Sequence, residues 1–207
     1  TSPTIDPDTE PVFATTTDST YFDTAPLSGV YYYFIVAQDI HNNKSPVAVA
    51  ESPNITLSMT MFIEGFYNSA SDLQVSDTIK VYLRNTVSPF AKVDSAKGVI
   101  DSVTFTGSFL FSNAPSGTYY LQVKSRNGLE TWSKAGGQVY TAGSPFSYDF
   151  TSSVSQAYGN NLILKAGKFC QYNGDVNQNG LIDLTDLIQI YNDGSNFTTG
   201  YVVTDVN

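Results

Sequence analysis

Residues 175–186 read Asp-Val-Asn-Gln-Asn-Gly-Leu-Ile-Asp-Leu-Thr-Asp, and no other stretch restricts its own folding so closely. Asp175, Asn177, Asn179, Asp183 and Asp186 place side-chain oxygens at the first, third, fifth, ninth and twelfth positions. Gly180 stands sixth, where such a loop turns sharply, and Leu181 can offer its backbone carbonyl at the seventh. A hard cation such as Ca²⁺ takes roughly six to eight oxygen ligands, and a loop with this spacing can wrap them around it. An Asx-rich surface turn without a metal is the alternative. Downstream, Leu184, Leu187, Ile188 and Tyr191 recur at i, i+3, i+4 and i+7, which predicts one apolar face of a helix. Asp193-Gly194 supplies a helix stop.

The twelfth residue is Asp rather than the Glu of the usual EF-hand loop, and Ile182 stands eighth. In both respects residues 173–207 resemble the dockerin-type calcium repeat of secreted bacterial proteins. The resemblance implies a Ca²⁺ ligand set of Asp175, Asn177, Asn179, Leu181, Asp183 and Asp186. Asp205-Val-Asn207 repeats Asp175-Val-Asn177, as though a second loop begins there. Dockerin modules pair two such loops, so binding to a cohesin partner is not implied.

The rest of the chain favours strands. Of its 207 residues 14% are aromatic, overwhelmingly Tyr and Phe, and Ser, Thr and Gly are abundant. Residues 1–16 carry three prolines and read as an extended arm, since proline forbids both a helix and a central strand. In residues 17–52, the runs Tyr21–Thr24, Tyr31–Asp39 and Asn43–Pro46 resemble the last three strands of a fibronectin type III domain, with Tyr31 placed as its corner tyrosine. The first strands and the Trp of that family are absent, and three strands alone are marginal. Pro53 marks a boundary. From residue 53 to 170, alternation at Met59, Met61 and Ile63, at Val75, Ile79, Val81 and Leu83, and at Val103, Phe105, Phe109 and Phe111 predicts a sandwich. Asn127-Gly128 is a hairpin signal. Runs such as DTIKVYLRN resemble immunoglobulin-like or prealbumin-like β-sandwiches of bacterial surface proteins. The expected fold class is therefore mainly β, with four segments: arm, incomplete fibronectin-like strands, sandwich and a 171–207 calcium loop-helix.

Composition narrows the partners. A net charge of −9 argues against nucleic acid and against an anionic membrane surface. No apolar run approaches membrane-spanning length. Cys170 is alone, so no intrachain disulfide forms. The start at Thr1 without Met leads us to expect a processed chain or an excised fragment. A loop rich in weak Asn ligands suits the high calcium outside cells.

Catalysis finds no constellation. His41 is the one histidine and sits in a polar turn without an identifiable partner. Cys170 lacks an activating His, and Asp6 and Asp8 lie in the arm, where nothing holds them for glycoside hydrolysis. Trp132 and the tyrosines could stack on sugars, although aromatics in strands more often form cross-strand pairs. We expect no enzyme.

Five tripeptides, headed by Asp18, Asp23, Asp77, Asp94 and Asp101, read Asp-(Ser/Thr)-(aliphatic or Thr). They resemble the O-glycosylation motif of a group of Gram-negative bacteria, which would place glycans on Ser19, Thr24, Thr78, Ser95 and Ser102. An ordinary Thr- and Ser-rich β surface is the alternative. Asn43, Asn54 and Asn196 also head N-glycosylation sequons. Together these features lead us to expect a structural subunit of a secreted, glycosylated, calcium-binding bacterial filament or cell-surface fibril. It would self-associate into a homopolymer by β-strand addition. The alternatives are a non-catalytic tail of a larger secreted enzyme and a carbohydrate-binding module.

Overall fold

The computed structural model describes residues 12, 14–17, 32–51, 55–141 and 144–206. Within them the chain is mainly β, of the β-sandwich class. The first two strands, β1 (Tyr32–Ile35) and β2 (Ala48–Glu51), form an antiparallel hairpin of their own. Among the described residues it pairs with no other strand. Its turn is tied by Asp39, whose carboxylate accepts from the amides of His41 and Asn43 at 2.8 and 2.9 Å. His41 is exposed there. The expected fibronectin-like strand at Tyr21–Thr24, Tyr31, Pro53 and the candidate sites Ser19 and Thr24 lie outside the described residues.

The sandwich begins with β3 (Ile55–Thr60) and β4 (Phe62–Ile63), followed by the small hairpin β5 (Tyr67–Asn68) and β6 (Leu73–Gln74). Long strands β7 (Asp77–Asn85) and β8 (Lys92–Ile100) come next, then β9 (Thr106–Phe111) and β10 (Gly117–Lys124). The series ends with β11 (Thr131–Trp132), β12 (Gln138–Tyr140), β13 (Phe146–Asp149), β14 (Ile163–Lys165) and β15 (Lys168–Gln171). One sheet runs β11-β10-β7-β8, with β12 also on β10. Opposite it lie β13-β3-β9 and β14-β15-β4.

Alternation explains the packing. In β7, Ile79, Val81 and Leu83 are fully buried, whereas Thr78, Lys80, Tyr82 and Arg84 face outward. They meet Leu57, Met59, Met61, Ile63, Phe109 and Phe111, also fully buried. On one side the two layers touch directly. A Cβ at Gly98 would stand 2.6 Å from the Ser108 carbonyl oxygen, and one at Gly107 would stand 2.8 Å from that of Val99. Only glycine lets β8 and β9 pass so closely, and their contact shields two sheet edges.

Four expectations are corrected. Val75 is 51% exposed, because β7 starts only at Asp77. Val103 and Phe105 belong to a turn, not a strand: Asp101 accepts from the Val103 and Thr104 amides at 2.9 and 2.8 Å. The left-handed backbone of Phe105 (φ 60°) then drops its ring against Phe62, centroids 4.5 Å apart. The hairpin expected at Asn127-Gly128 forms, β10 against β11, but not through a tight two-residue turn. β10 and β11 are joined by the longer loop 125–130, in which Gly128 bridges to Asn173. Finally, the helix α1 (Leu184–Ser195) runs through Asp193-Gly194 and is capped at Asn196.

Candidate metal centre

The 175–186 loop folds by satisfying its own backbone. The buried Asp175 carboxylate accepts from the Asn179 and Gly180 amides, each at 3.0 Å. Asn177 Oδ1 accepts from the Asn179 amide at 2.9 Å, and Asn179 Oδ1 from that of Leu181 at 2.8 Å. Gly180 takes φ 86°, which a glycine adopts without strain. Asp186, also buried, accepts from Val176 and Asn177 with Oδ1 (2.9 and 3.2 Å) and from the Asp183 amide with Oδ2 (2.9 Å). Asp183 in turn caps α1 through the Thr185 amide and hydroxyl at 2.8 and 2.6 Å, completing a capping box.

The electrostatics follow from this packing. Burial pushes the Asp175 carboxyl up, and the nearby Asp186 charge adds to the effect against several amide bonds. Asp183, exposed and bonded to Thr185, is held below its usual range. Asp175 and Asp186 make no ion pair among the described residues. Two neighbouring buried carboxylates without a cation are costly, and a divalent ion would offset that cost. Among the described residues no three His, Cys, Asp or Glu side chains cluster as metal ligands. The donor set is a mixed one of carboxylates and Asn amides, which fits the oxygen chemistry of Ca²⁺ rather than that of a transition metal.

A polar knot that no local sequence pattern signals joins this segment to the sandwich. The Leu129 amide donates to the Tyr172 carbonyl and the Gly174 amide to that of Asn127, both at 2.8 Å. Asn127 Nδ2 reaches the Val203 and Asp205 carbonyls at 3.0 and 2.6 Å, while Asn173 Nδ2 reaches that of Val206 at 2.6 Å. The Arg126 guanidinium lies 3.6 Å from Asp77 and 3.4 Å from Asp205, stacked 4.3 Å from the Tyr201 ring centroid. Tyr201 donates its hydroxyl to Asp77.

The remaining candidates lie apart. Thr78 and Ser95 are half-buried on the outward face of β7 and β8, and Ser102 is half-buried beyond β8. The Asp preceding each serves the fold: Asp77 and Asp94 are buried and accept from the following amide, and Asp101 ties its turn. Trp132 is half-buried in a cross-strand cluster, its ring 5.8 Å from Tyr120 and 6.0 Å from Phe90. Burial pushes the Cys170 thiol up to about 11, so it is no ready nucleophile. Among the described residues no helix is long and apolar enough to cross a membrane. No protein-family model matches the chain, and no curated protein is significantly similar to it.

Proposed function

We propose that this chain is a structural subunit of a secreted, glycosylated bacterial extracellular filament or surface assembly, its subunits joined head to tail by β-strand addition. The observation that carries the reading is the β1–β2 hairpin, a two-stranded sheet that no other described strand completes. Such a hairpin is marginal alone, and its open edges suit a strand from a neighbour. Ile35 on it is 56% exposed. A heterologous contact of this kind does not close on itself and propagates as a helical filament.

Ca²⁺ would be held by Asp175, Asn177, Asn179, Asp183, Asp186 and the Leu181 carbonyl. When bound, it supplies the positive charge that the Asp175–Asp186 pair lacks and stiffens the segment that the polar knot ties to the sandwich. Glycans on some of Ser19, Thr24, Thr78, Ser95 and Ser102 would shield exposed strand edges. Electron microscopy and sedimentation of the full chain test the assembly. Filaments are expected, and deletion of residues 1–16 should shorten them or yield monomers. A full chain that stays monomeric at all concentrations would overturn the reading.

A further inference from the structure

The outward face of the large sheet carries an arrangement that folding alone disfavours. In register across three strands, Lys124 of β10 stands opposite Lys80 of β7, which stands opposite Lys97 of β8. Like charges placed directly opposite destabilise a sheet. Arg84, Lys92 and Arg126 lie on or beside the same face, so six of the chain's ten Lys and Arg residues gather there although the net charge is −9. Lys124 is paired with Glu130 at 2.9 Å and Arg126 with Asp77 and Asp205, but Lys80 and Lys97 are exposed and make no ion pair among the described residues. The lysine row floors a groove of about 340 Å³ walled by Arg126, Tyr201 and Val203.

The chain itself contains a complementary polyanion. Residues 1–16 carry Asp6, Asp8 and Glu10 and no Lys or Arg. In an extended β conformation, residues two apart share a face, so these three carboxylates would form a row spaced by roughly 6.6 Å. The lysines are spaced by roughly 4.8 Å across strands, and their long, flexible stems can take up the difference. Pro7 and Pro11 disfavour any helical alternative. Val12 and residues 14–17 are exposed.

We propose that the Lys80–Lys97–Lys124 row is the docking groove for the acidic arm, residues 6–10, of a second copy of this chain. The inference rests on the assembly reading and names its acceptor surface. Contact is made by side chains across the sheet face, and the apolar Val12–Ala14 that follows is left to engage the strand edges. Opposed charge rows would also steer the encounter and fix its direction. Thr78 lines the groove, so a glycan there would exclude the arm; the test therefore uses unglycosylated recombinant protein.

The experiment exchanges the charges. A labelled peptide of residues 1–16 is titrated into full-length chain carrying Asp6→Lys, Asp8→Lys and Glu10→Lys, whose own arm cannot compete. Binding is expected, weakening about tenfold or more when Lys80→Glu and Lys97→Glu are added, and falling with salt. In the assembly assay, arm reversal and groove reversal should each abolish filaments, and the chain carrying both should regain them. Circular dichroism confirms that each variant folds. Peptide binding that ignores groove reversal overturns the proposal, as do undiminished filaments from the groove-reversed chain, which would leave the assembly reading intact. Groove-dependent peptide binding by a chain that never polymerises would support the groove and overturn the filament. Binding of a polyuronate but not of the peptide assigns the groove to acidic saccharides and overturns the proposal.

Discussion

In the sandwich, Leu57, Met59, Met61, Ile63, Ile79, Val81, Leu83, Phe109 and Phe111 bury their whole side chains against one another. In residues 172–206 only Asp175, Val176 and Asp186 are buried, and the helix within that segment turns its apolar side chains to solvent. Leu184, Leu187, Ile188 and Tyr191 are all at least half exposed. Polar bonds to Arg126 and Asn127 therefore hold what apolar contact does not. A region fixed by area withstands salt and pH; one fixed by directional bonds and buried charge answers to both, and to a metal.

Core truncation should give the largest effect. Phe109→Ala removes a fully buried ring between the layers and is expected to cost about 3–5 kcal/mol in thermal or denaturant unfolding. Arg126→Met should come next. It strips the cation from the buried Asp77 and from Asp205, and leaving a buried carboxylate unpaired costs on the order of 3 kcal/mol. Its signature differs: amide exchange should rise first at residues 201–206, ahead of the sandwich. If exchange rose uniformly, the C-terminal segment would be part of the core's cooperative unit.

The calcium prediction is sharper because its sign reverses. Folding raises the Asp175 pKa, so the folded state holds that proton more tightly than the unfolded chain. Without metal, the Asp175 contribution to stability is fully present below the unfolded carboxylate pKa and is lost as pH rises through the higher folded value. Calcium needs the ionised carboxylate, so with Ca²⁺ the contribution should grow over that same interval. At a hundredfold excess over Kd the ion would add about 2.7 kcal/mol. The difference in melting temperature between the natural chain and Asp175→Ala, followed against pH with Ca²⁺ and with chelator, measures this. Two curves of the same slope would dismiss the ion.

How legible these regions are from sequence follows from how local their causes are. Alternation over residues 77–85 gives β7 directly, since each side chain's face is decided by its neighbours two away. The 175–186 loop is equally local: its Asx bonds to backbone amides span two to five residues, apart from those of Asp186. The polar knot is not local. Asn127 bonds to Val203 and Asp205, 76 and 78 residues away, and nothing in an Asn-Gly pair distinguishes a distant clamp from a hairpin turn. Asp77 was likewise legible only as the head of a modification-like tripeptide, whereas the fold buries it under Arg126 and Tyr201. Helical periodicity at Leu184–Tyr191 marks a face but carries no information on what covers it.

That face gives the smallest expected effect on the single subunit, and for that reason it sharpens the comparison most. Leu187 and Ile188 are 58% and 50% exposed, so Leu187→Gln with Ile188→Gln removes little buried area. Surface changes of this kind stay within about 0.5 kcal/mol. The helix keeps its capping box at Asp183 and Asp186, and Gln is a good helix former, so local propensity is preserved. Melting of the dilute monomer should therefore match that of the natural chain, with or without Ca²⁺. A loss of about 2 kcal/mol or more would mean that the helix packs its apolar stripe in solution, and the contrast between an area-held sandwich and a bond-held C-terminus would fall. An unchanged monomer whose filaments lose stability would instead place the stripe in a subunit contact, where its exposed apolar area is removed from water only on assembly.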